Sequence, residues 1–133
     1  MMKRVAAAII EKNGKILIAQ RKLCSSFGGK WEFPGGKIES EETPEQCLKR
    51  ELKEELGIEA IVGPFFCAST FEYKHISIEL LVYRAAHVSG EIVEYDHESI
   101  KWVSRDELVN YDFVDADRPV VGKLIHSQVS PAI

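Results

Sequence analysis

The chain has 133 residues, a formal net charge of −4 at pH 7 and a pI near 5.6, with 45% hydrophobic and 29% charged residues. That length and balance suit one globular domain over residues 1–133 with its own core, and argue against a disordered, fibrous or multi-domain chain. The acidic balance leaves no basic stripe to track a polynucleotide backbone, so polymeric nucleic acid is not an expected partner; a small anion such as a nucleotide is, because bound cations reverse the local sign of an acidic site.

The opening "MMKRVAAAII" is apolar, but Glu11 and Lys12 interrupt it before it reaches signal or membrane-spanning length, so a cytoplasmic protein with no membrane partner is expected. Two β-prone runs, Val5 to Ile10 and Lys15 to Gln20, flank Asn13-Gly14 and read as a β-hairpin. "WEFPGGK" then reads as a strand end turning into a loop at Pro34, Gly35 and Gly36, where glycine lets backbone approach a ligand. Thr43, Pro44 and Gln46 mark a helix start with a capping box, and Gly57 its end.

Beyond Gly57 the chain is β-rich, with a break at Gly63-Pro64 and a buried central strand from His75 to Tyr83. An acidic loop around Glu94 to Glu98 leads into a short strand at Ile100 to Val103. Ser104 with Glu107 opens a small helix, and "DADRPVVGKLIHS" a C-terminal one with Pro119 in its first turn. Cys24, Cys47 and Cys67 are odd in number and lack CxxC spacing, which points to buried, reduced thiols. The four histidines, His97 included, have no metal-ligand spacing and read as structural or exposed, and Trp31 and Trp102 read as core.

The helix after Thr43 carries the chemistry. At about 100° per residue with Leu48 at zero, Leu52 falls near 40° and Leu56 near 80°, a core-facing stripe. Glu55 falls near −20°, Glu51 near −60° and Glu54 near −120°, so three carboxylates crowd one side of that stripe. Like charges three and four residues apart repel by roughly 0.2–0.5 kcal/mol per pair, and Arg50 alone does not neutralise them. A generic run of this kind is a solvated helix face, but carboxylates bordering a buried stripe are better explained by a hard divalent cation such as Mg²⁺, which takes oxygen ligands and bridges them to phosphates. Lys37 would then meet phosphate as a point charge.

This stretch resembles the Nudix box, G-x5-E-x7-R-E-U-x-E-E-x-G-U with U aliphatic. Gly36, Glu42, Arg50, Glu51, Leu52, Glu54, Glu55, Gly57 and Ile58 occupy every fixed position over residues 36–58. The likeness runs from about Val5 to Leu124 and is similar to MutT-like nucleoside triphosphate pyrophosphohydrolases, with "WEFPGGKIE", "RELKEELGIEA" and "ADRP" pointing to the CTP pyrophosphohydrolase branch. The resemblance implies an α/β (α+β) fold, an α/β/α sandwich around a central mixed β-sheet. It also implies Mg²⁺-dependent hydrolysis, Mn²⁺ being a second candidate, of a nucleoside triphosphate to the monophosphate and pyrophosphate, by a monomer or a homodimer.

Carried over by position, the resemblance implies metal ligation by the Gly35 carbonyl, Glu51, Glu54, Glu55 and Asp96. Arg50 would orient a glutamate and Glu42 would assist at the helix entrance. Asp96 stands one methylene short of the glutamate that such enzymes place before the Trp strand, which leaves the general base open between Asp96, Glu98 and a box glutamate. Arg21 matches a phosphate-contacting arginine, and Asp117 a base-recognition position where MutT has Asn. Phe33 reads either as a base-pocket wall or as ordinary core. The substrate class implied is CTP-like or oxidised nucleotides such as 8-oxo-dGTP; a low-turnover nucleotide sensor on the same scaffold, or a hydrolase of other nucleoside diphosphate derivatives, are the competing readings.

Overall fold

Ala6, Ala7 and Ala8 at the middle of the first strand are all buried, and they decide the architecture. Alternate residues of a strand face opposite ways. Ala6, Ala8 and Ile10 pack into one apolar cluster with Leu48, Leu52 and Leu56, while Ala7 and Ile9 join another with Val120 and Leu124. The sheet is therefore covered on both faces, as a sandwich requires. The computed structural model describes residues 2–126.

Strand β1 (Met2–Lys12) runs parallel to β6 (Ile76–Ser89), and β6 pairs antiparallel with β5 (Glu59–Tyr73) at the sheet edge. On its other side β1 pairs first with β4 (Gly35–Lys37) and then with β2 (Lys15–Arg21). β2 pairs with β3 (Trp31–Glu32) and β7 (His97–Ser104). One parallel pair among antiparallel ones makes the sheet mixed, as expected. Helix α1 (Pro44–Leu56) lies on one face and α2 (Arg118–His126) on the other. Two 3₁₀ segments, Arg105–Asn110 and Asp115–Asp117, complete the connections.

Several local expectations change in the fold. The Asn13-Gly14 turn forms with both residues at positive φ, but the β1–β2 ladder is limited to Glu11↔Ile16 and Lys12↔Lys15. Further back, β4 occupies that edge of β1, so β2 leaves to pair with β7. The Gly63-Pro64 break does not end a strand: β5 continues through it with register shifts, since an edge strand tolerates the missing N–H of proline. The strand expected from Ile100 begins at His97. Cys47 is buried and Cys67 half-buried, but Cys24 is exposed because the connection after β2 folds on itself outside the sheet. Ser127, the last residue of the expected C-terminal helix, lies outside the described residues.

Candidate active site

The site starts from the capping of α1. Thr43 Oγ1 accepts from Gln46 N–H at 3.1 Å and Gln46 Oε1 accepts from Thr43 N–H at 2.9 Å. This reciprocal cap is worth about 1 kcal/mol and sets the phase of the helix. Leu48, Leu52 and Leu56 are then fully buried, each contributing about 1.5–3 kcal/mol by leaving water. With that stripe pinned, Glu51 and Glu55 are half-buried beside it and Glu54 stands 60% exposed.

Two glycines let the sheet meet this face. A Cβ on Gly35 would overlap the Ala6 carbonyl, and one on Gly36 would fall on the Glu51 carboxyl group. The close approaches expected toward a ligand are thus made within the protein itself, to strand β1 and to Glu51. GGK is a short strand, not the loop expected. Cys47, near −100° on the same wheel, is buried under the same turn, its Sγ 3.4 Å from the Lys37 carbonyl; burial pushes its thiol up to about 12.

Arg50 is the hub of the outer part. Its Nε and Nη2 donate to both oxygens of Glu42 at 2.7 and 2.9 Å, Nη1 to Glu51 at 3.0 Å and Glu54 at 3.3 Å, and Nη2 to the Lys37 carbonyl at 3.3 Å. A planar fork makes this five-way arrangement possible. Glu42 is held at about 2, first by the Arg50 hydrogen bonds and then by the Glu39 N–H.

The inner part is left in the opposite state. Burial pushes the Glu55 carboxyl up to about 8, with Glu51, Glu32 and Asp96 adding their negative charge. Glu51 is also raised, by burial, against the pull of Arg50. Asp96 reaches this group because the loop before β7 is tied to the end of α1: Val93 N–H donates to the Leu56 carbonyl at 3.0 Å, and Gly57, at φ 72, leaves room for Val93 and Tyr95. Glu98 is exposed at the bulge where β7 pairs with Gln20 and Arg21. Lys37 is exposed at the end of β4.

Glu32 belongs to the cluster and was not singled out from the sequence. Trp31 and Phe33 face the α2-side core, so Glu32 between them faces the α1 side, and that alternation was the available signal. Its Oε1 accepts from Arg21 Nη1 at 2.9 Å and its Oε2 lies 3.2 Å from His97 Nε2. His97, read from the sequence as structural or exposed, is buried and bonded to this carboxylate, and its Nδ1 has no hydrogen-bond partner among the described residues. Arg21 is therefore half-buried and tied to Glu32 and the Ser26 carbonyl. Phe33 packs in the core against Phe113, ring centroids 5.1 Å apart, while its N–H donates to buried Asp117. Burial pushes Asp117 up to about 7, with Glu32 adding to the shift and the Phe33 N–H opposing it.

The oxygen-only donor set on the α1 face suits a hard divalent cation, and the charge that Arg50 leaves uncompensated on Glu51 and Glu55 is what such a cation would neutralise. Among the described residues, however, no three His, Cys, Asp or Glu side chains converge as a ready-made metal cage. Arg50 holds Glu51 and Glu54, and Glu54 is turned outward.

A family model described as NUDIX domain matches residues 2–124. The chain belongs to the NUDIX domain family. As a Nudix hydrolase it is 42% identical over 120 residues to a CTP pyrophosphohydrolase of Escherichia coli (strain K12), covering 90% of this chain and 89% of that one. It is 36% identical over 124 residues to an 8-oxo-dGTP diphosphatase of Haemophilus influenzae, covering 92% and 91%. The solution structure of the E. coli ORF135 protein superposes with a TM-score of 0.87 at 39% identity, over 99% of this chain and 95% of that one. The expected sandwich with its mixed sheet is thereby shown for this Nudix hydrolase. Nudix hydrolases generally need a divalent metal. No described helix of this one is long and apolar enough to cross a membrane.

Proposed function

We propose that the protein hydrolyses nucleoside triphosphates, CTP-like or oxidised ones such as 8-oxo-dGTP among them, to the monophosphate and pyrophosphate with Mg²⁺. The observation that carries this is the split on α1: Arg50 holds Glu42 and the outer edge of Glu51, while burial and neighbouring carboxylates leave Glu51 and Glu55 short of positive charge. The names of the relatives support the substrate class.

In this reading Glu51, Glu54, Glu55, Asp96 and the Gly35 carbonyl hold the cations, which supply charge neutralisation for the triphosphate and lower the pKa of a bound water. Arg50 and Glu42 fix Glu51 against Gly36. Arg21 and Lys37 bind phosphate, and Asp117 meets the base. The proton of the attacking water goes to a carboxylate in the group that surrounds Glu55.

The test is a panel of normal and damaged triphosphates assayed for pyrophosphate release with Mg²⁺ and ranked by kcat/KM, run in ¹⁸O-water. Pyrophosphate release with the label in pyrophosphate is expected, which marks attack at the β-phosphorus. Label in the monophosphate would reject that bond, and silence across the whole panel would reject the function.

A further inference from the structure

A cavity of about 600 Å³ lies on the α1 side of the sheet, at the end where β1 turns into β2. Its floor follows from strand alternation. Ile10, Leu17 and Ala85 belong to the α1-side core, so Lys12, Lys15 and His87, each two positions away on its strand, lie on the same face. Trp102, the cross-strand partner of Leu17, packs on that core and lines the cavity. The carboxylate face is elsewhere. Strand β7 leaves it at His97, bonded to Glu32, and reaches Trp102 only after roughly 17 Å of extended chain.

The roof is the segment that follows β6. Gly90 turns at φ 97, and a Cβ there would fall 2.6 Å from the Gly57 carbonyl, so this turn is pressed against the end of α1. His87 Nε2–H donates to the Gly90 carbonyl at 2.6 Å, and Val93 N–H to the Leu56 carbonyl at 3.0 Å. Between these two ties Ile92 packs on the α1-side core and borders the cavity. The walls are thus held by the protein's own contacts.

Lys12 and Lys15 are direct cross-strand partners, and like charges placed opposite each other destabilise a strand pair. Among the described residues neither ammonium forms a salt bridge, and the Lys15 charge is only the smallest influence on Glu107, which is held down chiefly by Ser104. Glu91 is the one carboxylate among the described residues that line the cavity, so the opening is positive in a chain of net charge −4. Two neighbouring ammonium groups match a doubly charged anion, and a phosphate monoester carries about −1.5 to −2 at pH 7. Trp102 and Ile92 beside them suit a flat, apolar body, and the volume suits a molecule of mononucleotide size.

We propose that this cavity is a second binding site, separate from the carboxylate face, for a phosphate monoester that carries a flat ring, such as a nucleoside monophosphate. The phosphate lies between Lys12 and Lys15, and the ring packs against Trp102 and Ile92. Binding there needs neither the metal nor the hydrolysis proposed above.

The experiment titrates ¹⁵N-labelled protein in chelator with CMP, ribose 5-phosphate and cytidine, and follows by NMR the indole N–H of Trp102 and the amides of Lys12 and Lys15. CMP is expected to move these signals saturably with a Kd of about 1 mM or tighter, and ribose 5-phosphate and cytidine to bind at least about tenfold more weakly. In the variant carrying both Lys12→Glu and Lys15→Glu the CMP affinity at Trp102 should fall at least about tenfold. Signals near Phe33 and Asp117 report binding on the other side of the sheet and are read separately. No movement at Trp102 up to about 10 mM CMP, an unchanged Kd in the double variant, or ribose 5-phosphate binding as tightly as CMP would overturn the site. Should the charge-reversed variant lose its dispersed spectrum, Lys12→Gln with Lys15→Gln decides by the same tenfold criterion, since both side chains are exposed.

Discussion

The backbone N–H of Phe33 donates to Asp117 Oδ2 at 2.9 Å, joining residues 84 positions apart in the chain. This bond fixes a buried carboxylate at the end of the 3₁₀ segment that precedes α2. An ionised Asp accepts only, and so favours a base edge with donors such as cytosine N4–H₂, while Asn also donates.

Asp117→Asn is the first test of that carboxylate. Because its folded pKa is raised to about 7 from an ordinary 3.8, the folded state binds the proton more tightly than the unfolded one. Stability is fully present below the unfolded value and is lost as pH rises through about 7. Asn keeps the acceptor for Phe33 and carries no charge. The variant is expected to melt higher than wild type at pH 8 by at least about 2 °C and to lose that advantage at pH 4. In the same variant the ratio of kcat/KM for 8-oxo-dGTP over CTP should rise at least about tenfold, or roughly 1.4 kcal/mol. An unchanged ratio would place base choice elsewhere.

Gly36→Ala tests the contact between strand β4 and the helix. The added methyl would overlap the Glu51 carboxyl group, with Oε2 at 2.5 Å and Oε1 at 2.7 Å. Backbone φ is ordinary there, so displacement of Glu51 is the chief effect. A fall in kcat of about tenfold or more with a folded, monodisperse product is expected. Full activity would show that Glu51 need not sit against β4.

Glu55→Gln should separate activity from stability. The Glu55 carboxyl is raised to about 8 from 4.5, so in metal-free protein its charge costs stability as pH climbs through that range. Gln removes the charge. In chelator at pH 9 the variant is expected to melt above wild type, and at pH 4 to match it, while kcat with Mg²⁺ falls at least about 100-fold. Glu54→Gln, on an exposed carboxylate bound to Arg50, should lose activity on the same scale without the gain in melting temperature. Near-wild-type turnover in folded Glu54→Gln would remove Glu54 from the metal set.

What the sequence determined by itself is local and periodic. The capping box at Thr43 and Gln46, the stop at Gly57, and the carboxylate side bordering Leu48, Leu52 and Leu56 all follow from helix geometry over one short stretch. The Asn13-Gly14 turn follows from turn chemistry and the strand β6 from β-propensity in the same way, although only Leu80, Val82 and Ala85 of β6 are buried.

What tertiary structure decided is who meets that helix. Which residues sit beside Glu55 depends on a bulge at Gln20 and Arg21, on Val93 hooking the acidic loop to Leu56, and on Glu32 lying between two core aromatics. Likewise Phe27 and Tyr73 meet only because β5 and the loop after β2 end side by side. A helix writes its own faces at intervals of about 3.6 residues, but the partners across a sheet are set by register and packing between segments far apart in the chain, and no local pattern encodes that distance.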